Sequence, residues 1–143
     1  MKPKTIAVPK SKWRVLARYD EDSASCAVED ELKALVDDKK TRRHAESIYA
    51  LMRRIPREGP KALGKQFYHY VDENNEIAEF IHGPLRVFGF VLHGTFVICS
   101  HSIRKKSQKT KKSDIEKAAR LRSELLKLEN LQDHIINEGN NEP

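Results

Sequence analysis

The chain is poor in the residues that build the commonest chemical devices. It has two cysteines, Cys26 and Cys99, in 143 residues. That is too few for a disulfide framework, and no C-x-x-C or H-x-x-x-H spacing offers a zinc site. Two buried, reduced thiols are the expectation, with no metal and no cofactor. Glycine is sparse too, six in all. None sits in a phosphate-cradling loop, and there is neither a nucleophile elbow nor a dinucleotide fingerprint. No apolar run approaches the ~20 residues of a membrane span. The N-terminus is basic but lacks an apolar signal core. A cytoplasmic protein with no membrane partner is therefore expected.

What the chain has is charge. Charged residues make up 34% of it, against 38% hydrophobic, and the formal net charge is +6. A single core of real size fits this length. The excess of base favours a polyanionic partner without establishing one. Residues 1–18 hold six Lys or Arg and no acid. Residues 28–38 are mostly acidic, 39–65 basic, 66–103 acidic again, and 104–122 strongly basic. Basic surface has to come from several elements meeting in space.

Periodicity divides the chain into elements. Residues 1–12, with Pro3 and Pro9, read as a flexible basic N-terminus, and 13–19 as a strand. Val28, Leu32, Leu35 and Val36 share one helical face in a helix starting near Ser25. A second helix starts near Thr41 as N-cap and carries Ala45, Ile48, Tyr49, Met52 and Ile55 inward. It ends before Pro56 or at the Gly59-Pro60 break. Strands are then expected at 67–71, 77–81, 85–92 and 95–103, with turns at Asn74-Asn75, Gly83-Pro84 and His93-Gly94. Ser113-Asp114-Ile115-Glu116 has the capping-box pattern, with Ser113 as N-cap of a last helix that runs to about residue 136. Residues 138–143 read as a disordered tail. The expected architecture is α+β, in the order β-α-α-β-β-β-β-α, with helices packed on an antiparallel-rich sheet and one folded unit over 13–137.

The pointed residues cluster in the second half. Arg86 interrupts an apolar strand, on the face of Phe88 and Phe90. An unpaired buried charge is costly. It is therefore either paired with Glu79 on the neighbouring strand or held rigidly for a phosphate, which its planar fork suits. The run from Arg104 through Lys105, Lys106 and Lys109 to Lys111 and Lys112 leaves a strand and enters a helix. It is either a solvated loop of like charges or a phosphate grip. His69, His82, His93 and His101 are scattered over the sheet region. His101, beside the lysines, and His82, at the turn before Arg86, are the better placed for proton transfer. Glu79 is a general-base candidate or a partner for Arg86. The acidic turn 72–76 is expected near the same part of the sheet.

Three stretches carry a resemblance. Cys26-Ala27-Val28-Glu29-Asp30-Glu31-Leu32 looks like the "C-P-V-E-E-F-L" opening of the first helix in the phage-derived, HigB-like branch of the RelE toxin superfamily. Leu85-Arg86-Val87-Phe88-Gly89-Phe90 is similar to that branch's "Y-R-V-F-Y-F" strand. His101-Ser102-Ile103-Arg104-Lys105-Lys106-Ser107-Gln108-Lys109-Thr110 is similar to "H-G-F-x-K-K-T-x-K-T". A helix resembling "E-I-x-x-A-x-x-R" follows, here with Glu116, Ala118, Ala119 and Arg122. Two departures stand out: Glu79-Phe80-Ile81 replaces "E-L-R", and Gly89 replaces an aromatic.

The resemblance implies a microbial-ribonuclease-like fold and the toxin half of a type II toxin–antitoxin pair. Such toxins cut mRNA on the ribosome without a metal, by attack of a 2′-hydroxyl on the adjacent phosphate. A small helix-turn-helix antitoxin would be the partner. By position, Arg86 and Lys106, with His101 and Glu79, would be catalytic. Arg104, Lys105, Lys109, Lys111, Lys112 and His82 would bind RNA. The alternatives are a catalytically inactive phage-derived module that binds RNA or protein, and a regulator acting through protein contacts, for which the acidic helix 28–38 speaks.

Overall fold

The computed structural model describes residues 2–6, 12–105 and 110–136. Among them, three α-helices flank a six-stranded mixed sheet. The strands are β1 (Lys2–Thr5), β2 (Arg14–Tyr19), β3 (Tyr68–Asp72), β4 (Ile77–His82), β5 (Leu85–Leu92) and β6 (Phe96–Arg104). The helices are α1 (Ala27–Asp37), α2 (Arg42–Glu58) and α3 (Lys112–Leu126). The sheet order is β1-β2-β6-β5-β4-β3, and every pairing is antiparallel except β2 with β6.

Two apolar layers hold the sheet. On one face, Val28 and Leu32 of α1 and Ala45, Ile48, Met52 and Ile55 of α2 meet Val15, Ala17, Phe80, Val87 and Val97. On the other, Ala118, Leu121 and Leu125 of α3 meet Ile77, Phe88, Phe90 and Ile98. The central strands are thus covered on both sides, which is why β5 reads as a nearly continuous apolar run. Cys26 and Cys99 are buried and free. Burial pushes their thiols up to about 11 and about 12, out of reach of nucleophilic use near neutrality.

The structure corrects several boundaries. The expected loose N-terminus forms β1 over Lys2–Thr5, because Thr5 is fully buried and Lys4 pairs with Glu29 of α1. Residues 7–11 and the tail from 137 onward lie outside the described residues. Thr41 precedes α2 as expected but does not cap it: its hydroxyl donates to Leu35 O at 2.6 Å and closes the end of α1. Pro56 stays inside α2, one turn from the end, where Gly59 N–H closes the helix on Ile55 O. The capping box is overturned. α3 begins at Lys112 after Lys111, with no side-chain cap, and starting one residue earlier it takes Ser113 inside its first turn, out of the N-cap position. α3 also stops at Leu126, and a 3-10 turn at Leu131–His134 follows.

Two irregularities decide which face key residues take. In β6, Phe88 lies opposite His101 while Gly89 lies opposite Cys99, so Ser100 is an extra residue. Val97 and Cys99 face α1 and α2, and alternation would send His101 the same way. The bulge reverses this. His101 stacks on Phe88 toward α3, and Ser102 swings to α1, where Glu31 Oε1 accepts from its hydroxyl at 2.9 Å. Gly89 makes the bulge possible, since a Cβ there would stand 2.3 Å from Ile98 O. The second irregularity lies between Tyr70 and Asp72 and sets His69 opposite Glu79.

Gly89→Ala should therefore destabilise the fold by roughly 2–4 kcal/mol, read as a drop in the urea midpoint. A midpoint within a few tenths of a kcal/mol of the parent would show that β6 can yield at Ile98.

Candidate nucleic-acid interface

Arg86, Glu79 and His69 lie in a row across β5, β4 and β3, on the face toward α3. Arg86 is opposite Ile81 and Ile103, and Glu79 is opposite Phe88. Of the two readings of Arg86, the pairing with Glu79 is the one seen. Its Nε is 3.7 Å from Glu79 Oε1, and its Nη1 donates to Gly83 O at 2.6 Å and Leu85 O at 2.9 Å. The guanidinium is thus fixed against the β4–β5 turn, with its side chain 15% exposed.

Glu79 is an under-satisfied buried acid. Its Oε1 meets His69 Nε2 at 3.1 Å and Arg86 Nε more distantly, and its Oε2 has no hydrogen-bond partner among the described residues. Such groups are rare in stable interiors and mark strain or function. His69 Nδ1 donates to Lys65 O at 3.1 Å, since a carbonyl can only accept. Its Nε2 therefore faces a second acceptor across a shared proton. The sequence had His69 only as one of four scattered histidines.

The basic run begins at the same end of the sheet. Arg104 is exposed at the end of β6, opposite Leu85. Lys105 N–H donates to Pro84 O at 2.7 Å, and its ammonium reaches Thr110 Oγ1 at 3.4 Å. Lys106 and Lys109 lie outside the described residues. Lys111 and Lys112 are exposed at the N-terminus of α3. Cations are disfavoured at a helix N-terminus, which attracts anions. The run therefore departs beside the Gly83-Pro84 turn to which Arg86 is pinned.

Two expected site residues are placed elsewhere. His101 is no solvent-facing proton shuttle. It is buried, its Nε2 donates to Asp114 Oδ1 at 3.0 Å, and its Nδ1 accepts from Ser100 Oγ at 2.9 Å. It pins the first turn of α3 to the sheet. Asp114, read from sequence as part of a capping box, is the residue that reasoning missed. His82 faces α2 rather than Arg86, with its Nδ1 3.0 Å from His44 Nδ1. The acidic turn is not beside the basic run either. It joins β3 to the start of β4, whereas Arg86 lies by the end of β4, and Glu76 pairs with Arg122 at 3.7 Å. A cleft of about 550 Å³ reaches that far end, lined by Trp13, Tyr70, Glu76, His93, Arg122 and Leu126.

No helix among the described residues is long and apolar enough to cross a membrane. The class these features define is an α+β protein with a fixed guanidinium and a cationic chain segment at one sheet end. The family model of phage-derived, Gp49-like proteins (DUF891) matches residues 30–123, and the chain belongs to that family. The family is associated with toxin–antitoxin modules, an association that points to an antitoxin as partner. A comparison with curated proteins found no match.

Burial pushes the His101 imidazole below its ordinary 6.5, against the upward pull of Asp114. The unfolded chain then takes up a proton at higher pH than the fold does, so stability falls as pH drops below about 6.5. His101→Gln removes that contribution, while His82, also lowered by burial and by His44, keeps its own. Urea midpoints from about pH 7.5 to about pH 5.5 should slope less in the variant. An unchanged slope would refute a neutral, buried His101.

Proposed function

We propose that this chain is the toxin half of a type II toxin–antitoxin pair, of the RelE superfamily's HigB-like branch. On this reading it is a metal-independent endoribonuclease that cuts mRNA on the ribosome in the cytoplasm, held in check by a helix-turn-helix antitoxin. The observation that carries the reading is Arg86, fixed at the sheet end from which the basic run leaves. Family membership supports it.

The chemistry is transesterification. The 2′-oxygen attacks the neighbouring phosphorus, the bond to the 5′-oxygen breaks, and negative charge gathers on the phosphoryl oxygens. Arg86 and Lys106 stabilise that charge, and a guanidinium held as Arg86 is does so with little reorganisation. Arg104, Lys105, Lys109, Lys111 and Lys112 hold the backbone around the cut. Glu79, tied to His69, is the proton-handling pair on the same face. His101 contributes by holding α3 and the run's far end in place.

A second reading keeps one specific observation in its favour. Ile81, half-buried opposite Arg86, puts an aliphatic side chain where relatives carry arginine, and Arg86 already spends two hydrogen bonds on carbonyls. That suits a binding module without catalysis.

Induced expression in a bacterial host separates the two. Growth arrest with mRNA cut at discrete positions is expected of the wild type. Arg86→Ala and Lys106→Ala should each lower cleavage on the order of 100-fold while the far-ultraviolet spectrum stays folded. Retained arrest in the Arg86 variant would sink the site. Normal growth of the wild type with salt-sensitive RNA binding would favour the module.

A further inference from the structure

Among the described residues, β3 is the outermost strand of the sheet on the side away from β1. A cleft of about 430 Å³ lies against it, lined by Lys61, Lys65, Tyr68, His69, Tyr70 and Glu73. Tyr70 is 42% exposed, one of two large hydrophobic side chains so open among the described residues. Lys61 and Lys65 are exposed, and Glu73 is the acid on the wall. His69 is the built element. Its ring is clamped between Lys65 O and Glu79 Oε1, each at 3.1 Å, and the Glu79 carboxylate behind it is 3% exposed. The bulge that turns His69 to the α3 face leaves Tyr68 and Tyr70 on the other, so the cleft wraps over the strand edge.

An open aromatic face beside two ammonium groups suits a planar ring carrying an anion. An apolar ligand would leave the lysines unused, and inorganic phosphate would leave Tyr70 unused. A nucleotide uses both, and base stacking on an aromatic side chain tolerates any sequence.

We propose that this cleft is a subsite for one unpaired nucleotide of single-stranded RNA. The base stacks on Tyr70, and Lys61 and Lys65 meet the phosphate. His69, anchored by Glu79, is a positioning residue that ties the subsite to the Arg86 row. Glu73 disfavours phosphate on its own side, so the backbone enters from the lysine side. The inference rests on the RNA reading above and extends the contact surface from Arg86 to the β3 edge.

Fluorescence anisotropy with a labelled, fully 2′-O-methylated RNA decamer tests it without cleavage. Tyr70→Ala should weaken binding about tenfold, and Tyr70→Phe, which keeps the ring, should not. Lys65→Ala should weaken binding and reduce the salt slope by about 0.7. Wild-type binding that survives both Tyr70→Ala and Lys65→Ala unchanged would overturn the subsite and leave the endoribonuclease reading standing. No binding by the wild type would also overturn it. Growth arrest on induction then decides whether the RNA reading falls too.

Discussion

Side chains on a strand alternate between faces, and one extra residue exchanges the two sets from that point on. The layout of this molecule depends on that constraint at two places. In β6, the extra Ser100 turns His101 to α3 and Ser102 to α1, so one strand pins helices on opposite faces. In β3, the irregularity after Tyr70 brings His69 beside Glu79. The first depends on close backbone approach, which the missing Cβ of Gly89 permits.

The interior of the candidate site is not built for stability. Burying Glu79 costs solvation that an imidazole and a guanidinium at 3.7 Å return only in part. An aliphatic residue would pack there at lower cost. Arg86 and Arg104 lie at the sheet end where β4 turns into β5, and the acidic β3–β4 turn, with Glu76 paired to Arg122, lies at the other.

Much of the fold was legible in the sequence. The β5–β6 hairpin follows from alternation and from His93-Gly94, both with positive φ, in the turn that joins Leu92 to its partner Phe96. The faces of α1 and α2 follow from 3.6-residue spacing. What could not be read is what depends on tertiary partners. β1 is too polar to announce itself and exists because β2 offers an edge. The capping box of α3 failed because the helix starts before Ser113, and the bond from His101 to Asp114 comes from another element. The Arg86–Glu79 pair was one of two open readings. The His69–Glu79 pair was hidden, because an unbroken ladder from Asp72–Ile77 would have set Tyr70 opposite Glu79 instead.

The parallel pairing of β2 with β6 has a consequence in time. Arg14 meets Phe96, so β2, made early, waits for β6, the last strand made, before the sheet's centre can close. Until then α1 and α2 have no complete sheet to cover, and Arg86 has no neighbouring Ile103. A chain made only through β5 leaves the apolar faces of α1 and α2 without the β2–β6 part of the sheet. The sheet end that holds Arg86 is therefore complete only once the segment through β6 has been made.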